Sequence, residues 1–275
     1  MHKIAIITSH IEHLYLFRIL QQYNFAYHIY YDQEWGDWFE KPVAYVEKRV
    51  QALCDRAIAD GAKKLILPSM LELQFMENTK YAPYILPLFS RYVTEYCVPY
   101  SLVGKIWFLG DWFDAKHQFL VEKLCATVQK TPAQTRTKAF HTPFAYWFKQ
   151  VSMRKHFLVQ LGWKDWMMHN VVKHDLRYFC DAGVDTIIPL HYGYHAYDVT
   201  IAKFIRTKKM RWHSLDTVNM IFASLVKEHI PVTDNWYNVK ISYTGTLDHL
   251  TAEKKWLWLL QKGTNIDIQS ELIDI

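Results

Sequence analysis

Apolar positions along the chain fall into two recurring patterns. The segment Lys3–Thr8 (KIAIIT) is a short continuous apolar run, and it predicts a buried first strand. His28–Tyr31 predicts a second. Val43, Val46, Val50, Leu53 and Ala57 then recur at helical spacing, and Asp60-Gly61 supplies the stop for that helix. Lys64–Leu67 predicts a third strand. Further along, the pattern predicts a helical stretch around 81–96 and strands at 98–103, 106–109 and 124–128. Residues 129–138 are polar and contain a proline, which predicts a loop, and an aromatic helical region is expected over about 140–180. A strand at 186–190 follows. After Arg211-Trp212 comes a helix with Val218, Ile221, Phe222 and Leu225 on one face. Val239–Tyr243 predicts a late strand, and Trp256–Leu260 belongs to a terminal helix. Strands alternating with helices predict an α/β fold with mostly parallel sheets.

One internal similarity sharpens this picture. Gly61-Ala62-Lys63-Lys64-Leu65-Ile66-Leu67-Pro68-Ser69 aligns without gaps against Gly183-Val184-Asp185-Thr186-Ile187-Ile188-Pro189-Leu190-His191. Each segment reads as a helix end, a glycine, a buried strand and then a polar residue. If this is a true repeat, the chain holds two related α/β lobes, and Ser69 and His191 occupy matching positions. Sites in open α/β sheets lie outside the carboxyl ends of the strands, which is where both residues fall.

Composition excludes several classes. The 275 residues are 51% hydrophobic and 21% charged, a balance that belongs to a folded globular protein. The net charge of +5 is modest, and short basic clusters such as Arg206–Lys209 read as solvated faces, so no nucleic-acid partner is expected. No run reaches the roughly 20 apolar residues that span a bilayer, and no membrane association is expected. The N-terminal MHKIAIITSH lacks the layout of a signal peptide. Cys54, Cys97, Cys125 and Cys180 show no CxxC spacing, which suits reduced thiols in a cytoplasmic protein better than a disulfide framework or a zinc ribbon.

Six segments, in order, resemble the aspartate/glutamate racemase superfamily, and glutamate racemase most. "IITSHIEHL" (6–14) sits where that family has a strand followed by D-S-G-x-G-G-L. "YYDQEWGDWF" (30–39) resembles Y-x-x-D-T-A-x-x-P-Y-G, and "GAKKLILPSML" (61–71) resembles G-x-x-x-L-V-I-A-C-N-T. "TPAQTRTKAF" (131–140) resembles T-P-A-T-x-R-S-G-A-Y. "GVDTIIPLHYGYH" (183–195) resembles G-V-D-T-L-V-L-G-C-T-H-Y-P, and "SYTGTLDHL" (242–250) resembles the late strand with F-Y-T-S-G-D-P. The resemblance implies two pseudo-symmetric α/β lobes with the site in the cleft between them. Residues 1–97 plus 213–275 would form the first lobe and 98–212 the second. It also suggests a homodimer.

The family moves an α-proton with two cysteines, because a thiol whose pKa is lowered by its site serves as base or acid. Here those positions hold Ser69 and, in the ungapped register, His191. A slip of two would instead match His191-Tyr192 to the family's His-Tyr and leave Pro189 at the cysteine position. Thr8 stands for the family's first-strand aspartate, whereas Ser9, Asp32 and Thr131 match family positions. Met70-Leu71 replaces an Asn-Thr pair that holds the substrate's polar groups.

The resulting candidates are His191 and Ser69 as catalytic groups, with Thr8, Ser9, Asp32, Thr131, Tyr192 and His195 on the ligand. Imidazole titrates near neutral pH, and a serine hydroxyl needs activation. The expected ligand is a small carboxylate or an amino-acid-like molecule, with no cofactor and no metal. Three functions stay open. One is an isomerase or lyase acting beside a carboxyl or carbonyl without the thiol pair. Another is an inactive homologue that binds a small molecule or protein. A third is a metal-dependent enzyme using histidines such as His191, His195, His10 and His13.

Overall fold

The structure is a computed structural model that describes residues 4–8, 27–32, 42–68, 71–99, 101, 105–110, 122–123, 126, 145–150, 170, 172–174, 176–177, 183–189, 198–206, 210–212, 215–229, 238–244 and 267–274. The chain divides into two compact units. Met1–Phe89 with Asn219–Ile275 forms one, and Ser90–Val218 forms the other.

In the first unit, β1 (Ile4–Thr8) and β2 (Tyr27–Asp32) are buried along their whole length. Continuous burial on both faces is the mark of a parallel sheet covered on each side. Helix α1 (Val43–Ala59) buries Val46, Val50, Leu53, Cys54 and Ala57, the stripe its spacing predicts. Its end is closed by Gly61 N–H on the Ile58 carbonyl and Ala62 N–H on the Ala57 carbonyl. Gly61 adopts φ 91°, a left-handed conformation that only glycine takes without strain. Strand β3 (Lys64–Ile66) follows, then α2 (Leu71–Glu77) and the single turn α3 (Leu88–Arg91), along which the chain passes into the second unit and continues as a π-helical segment at Tyr92–Cys97. The fully buried Glu72 carboxylate of α2 accepts the Phe89 N–H at 2.7 Å and so caps the start of α3.

The remaining strands and helices are β4 (Lys105–Gly110), β5 (Ala145–Gln150), β6 (Thr186–Pro189), α4 (Asp198–Ile205), β7 (Arg211–Trp212), α5 (Leu215–His229), β8 (Asn238–Thr244) and β9 (Asp267–Leu272). One sheet has the order β3-β1-β2-β8-β9 and the other β5-β4-β6-β7. Among the described residues, all the strand pairings are parallel.

The repeat read from the sequence is present in the sheets. Gly183 also has a positive φ, of 66°, and each glycine precedes its strand by three residues. Ile4 pairs with Lys64 and Tyr27, and Ile106 pairs with Thr186 and Tyr146. The first strand of each set is therefore central, flanked by the second on one side and the third on the other. The correspondence extends outward: Leu65 bridges to Ile85 as Ile187 pairs with Trp212.

Four expected elements differ. Residues 81–96 are not one helix, because Tyr81 and Ala82 close turns on the Asn78 carbonyl and Ile85 joins the edge of β3. The strand expected at 98–103 is absent from its described part. Val98 N–H instead reaches the Val93 carbonyl, Ser101 N–H closes on Val98, and Pro99 has no N–H for a ladder. At 124–128 the described Ala126 is helical, as are Glu122 and Lys123 just before it. In the region expected to be helical over about 140–180, the described Asn170, Val172, Lys173, His174, Leu176 and Arg177 are helical, but Ala145–Gln150 is the strand β5. Ala145-Tyr146-Trp147-Phe148 pairs with β4, as aromatic residues with high strand preference do when a partner edge is open. The loop at 129–138 and the helix at 256–260 lie outside the described residues.

Candidate functional site

The carboxyl ends of β2 and β8 place two polar side chains next to one another, and Thr8 ends the neighbouring β1 with its side chain on the other face of the sheet. Thr8 ends β1 opposite Tyr31, and Asp32 ends β2 opposite Thr244, the last residue of β8. All three are buried, with Asp32 at 0% exposure. A buried carboxylate must be paired, and this one is. Arg49 of α1 donates from Nε to Asp32 Oδ2 at 2.6 Å and from Nη2 to Oδ1 at 3.0 Å. Thr244 Oγ1 donates to Asp32 Oδ1 at 2.7 Å. The result is a bidentate, charge-assisted pair with a third donor, linking two strands to the first half of a helix. The Arg49 guanidinium also lies 5.9 Å from the Tyr45 ring one helical turn earlier.

Farther back on the same face of β2, the polar series continues through Tyr30 and His28. Tyr30 Oη donates to Asp60 Oδ2 at 2.8 Å, and Arg56 Nε reaches the same oxygen at 3.1 Å. His28 Nε2 lies 2.6 Å from Ser242 Oγ, and Ser242 Oγ lies 2.5 Å from Glu271 Oε1. Lys240 Nζ meets that glutamate at 2.8 Å. A serine hydroxyl has one proton, and an ionised carboxylate only accepts. Ser242 therefore donates to Glu271, and His28 donates from Nε2 to Ser242.

Burial works to raise the pKa of Asp60 and of Glu271, but the bonds from Tyr30 and Arg56, and from Lys240 and Ser242, outweigh it and hold both carboxyls below their usual range. A depressed carboxyl stabilises the fold above the unfolded value, near pH 4, and that contribution disappears as pH falls through the folded value. Because both carboxylates are partly exposed and screened, urea midpoints should show a modest fall on acidification below about pH 4. Asp60→Asn and Glu271→Gln should flatten that acid limb. An unchanged limb in both variants would contradict the assignment.

The thiols that the structure describes are not at strand ends. Cys54 lies inside α1 and Cys97 ends the π-helical segment, both buried. Burial pushes both thiols well above the ordinary cysteine value, the opposite of what an acid/base thiol requires. Of the residues expected from the sequence, Thr8 and Asp32 end adjacent strands, but Thr8 pairs with Tyr31 and so lies on the opposite face from Asp32. Ser9, Ser69, Thr131, His191, Tyr192 and His195 lie outside the described residues, as do His10 and His13. Ser69 follows two residues after the buried Leu67, and His191 follows two after the end of β6. Arg49 and Thr244 are the members that sequence reasoning missed. Thr244 could have been found from its place in the "SYTGT" segment, but nothing local marks Arg49 among the other charged residues of α1. Among the described residues, no three His, Cys, Asp or Glu side chains are placed to hold a metal, and no helix is long and apolar enough to cross a membrane.

Solved structures similar to this chain include glutamate racemases. An isoform from Bacillus anthracis superposes with a TM-score of 0.74 at 13% identity, covering 100% of this chain and 98% of the other. The Thermus thermophilus enzyme, in complex with beta-chloro-D-alanine, gives 0.71 at 12% identity over 100% and 97%. The Francisella tularensis enzyme, in complex with D-glutamate, gives 0.70 at 14% identity over 99% and 97%. No protein-family model and no curated protein sequence matches the chain. The chain therefore has the glutamate racemase fold.

Proposed function

We propose that this protein is an isomerase or lyase that moves a proton at a carbon next to a carboxyl or carbonyl group, without a pair of thiols. The observation that carries this reading is the equivalence of the Gly61–β3 and Gly183–β6 units. Both strands take the same place beside a central strand, and each leads at the same spacing to a polar residue, Ser69 or His191. His191 is the acid/base group and Ser69 its counterpart. Thr8, Ser9, Asp32, Thr131, Tyr192 and His195 orient a small carboxylate or amino-acid-like ligand. The likeness to enzymes solved with D-glutamate and beta-chloro-D-alanine supports that ligand class. The cytoplasm is the proposed location and a homodimer the proposed assembly.

A second reading is a relative that binds ligands but does not turn them over. Met70-Leu71 favours it, since neither side chain can hold a polar substrate group.

Proton exchange in D2O, followed by NMR, separates the two. The protein is incubated with both enantiomers of an amino-acid panel that includes aspartate and glutamate. Deuterium should enter the α-position of at least one compound, and His191→Ala should slow that exchange by roughly 10²–10⁴-fold. Exchange that survives in the variant would remove His191 as the base. No exchange with any compound would favour the second reading.

A further inference from the structure

We infer that Trp212 and Asp198 are positioning residues at the carboxyl edge of the second sheet: the bond between them sets the start of α4, and through it the placement of residues 190–197, which carry His191, Tyr192 and His195. The inference rests on the site role proposed for His191, but its test does not require proton transfer.

Three observations carry it. First, one residue engages both flanks of that segment. β6 ends at Pro189 and α4 begins at Asp198. Trp212 pairs in register with Ile187 of β6, and its indole Nε1 donates to Asp198 Oδ1 at 2.6 Å. The segment therefore leaves and rejoins the fold beside a single anchor. Second, the bond is directional. An indole has one N–H and no acceptor, and a carboxylate partner makes the bond charge-assisted. The ring turns about only two bonds and is rooted in a strand, so it holds its partner in one place. Apolar burial secures α4 farther along, at Ile201 and Ile205, whereas Val199 in the first turn is 71% exposed. The bond acts on that first turn. Third, the location suits a site. Trp212 is the last residue of β7 and Pro189 the last of β6, and ligands of open α/β sheets collect outside those ends.

The two side chains can be separated from each other and from the charge they share. Trp212→Phe removes the donor and keeps an aromatic ring. Asp198→Ala removes the acceptor and the charge. Asp198→Asn removes the charge but keeps a carbonyl oxygen that accepts the indole N–H.

The test reads the histidines directly. Protein labelled with 13C at histidine Cε1 is followed by NMR across a pH series, and the signals of His191 and His195 are assigned by their loss in His191→Gln and His195→Gln. Both signals should shift in Trp212→Phe and in Asp198→Ala, while the backbone amides of β4 stay in place. In Asp198→Asn they should lie close to those of the unaltered protein. Unmoved histidine signals in Trp212→Phe and Asp198→Ala overturn the inference. So does a shift in Asp198→Asn as large as in Asp198→Ala, which would make the charge and not the bond the cause. A shift that spreads equally to the β4 amides is a general structural change and also overturns it. If Trp212→Phe fails to fold, the two Asp198 variants decide by the same criteria.

Proton exchange adds a second readout. With an amino acid that exchanges, Trp212→Phe and Asp198→Ala should lower kcat by about 10–10²-fold with KM changed less, the cost of a misplaced acid/base group. The two proposals fail separately. Displaced His191 and His195 signals without exchange of any amino acid sink the catalytic reading alone. Exchange that needs His191 but keeps its rate in Trp212→Phe and Asp198→Ala, with unmoved histidine signals, sinks this inference alone.

Discussion

Asp32→Ala should destabilise the protein by about 3–5 kcal/mol, because it strands a mostly buried Arg49 without its counter-charge. The cost comes from leaving one ion uncompensated rather than from the worth of the pair. Coulomb attraction and desolvation nearly cancel for a buried pair, so replacing both partners together should cost much less than the sum of the single changes. A double-mutant cycle over Asp32→Ala and Arg49→Met, read from denaturant midpoints, measures this. Because Asp32 and Thr244 sit opposite each other in register, hydrogen exchange should quicken first in β2 and β8. Strictly additive single effects would mean that the pair is not coupled.

The second unit has its own anchor of this kind. Asp185 precedes β6, is 5% exposed, and accepts from Ser101 Oγ at 2.9 and 3.1 Å. It also accepts the Lys105 backbone N–H at 3.2 Å, where β4 begins. Its backbone is engaged as well: Asp185 N–H binds the Lys105 carbonyl, and the Asp185 carbonyl takes the Arg211 N–H at the start of β7. One residue thus ties together the starts of three strands. Asp185→Ala removes the acceptor from a buried hydroxyl and a backbone amide, and should cost about 2–3 kcal/mol. Asp185→Asn keeps one carbonyl oxygen and should cost less. The check is the denaturant midpoint of each variant, supported by hydrogen exchange in β4 and β6. Loss of protection elsewhere, with β4 and β6 unaffected, would contradict the role assigned to this aspartate.

These two aspartates differed in how visible they were in the sequence. Asp32 stood out because it follows a strand and matches a family position. Asp185 was seen only as part of an aligned segment, where its counterpart is Lys63. The polar residues inside β2 gave no such notice. His28 and Tyr30 read as ordinary members of an apolar run, yet they join chains of bonds reaching Ser242, Glu271 and Asp60. Those partners are far away in sequence, so no window along the chain contains both ends of the bond.

The sequence alone determined the buried runs of β1, β2, β3, β4, β6 and β8, the apolar stripe of α1, and the two glycine-to-strand units. Each follows from local physics: a period of side chains, or a backbone angle that only glycine tolerates. It also determined the parallel α/β class, because strands separated by helices must cross over. Tertiary structure decided the rest. β5 is a strand because β4 offers an edge to its aromatic residues. β9 alternates Asp267, Gln269 and Glu271 with Ile268, Ser270 and Leu272, and it is recruited by β8 with no strong apolar run of its own. Arg49 gains its meaning only when α1 packs and brings it to the end of β2. Strand pairing and burial of charge are non-local free energies, realised only when distant segments meet.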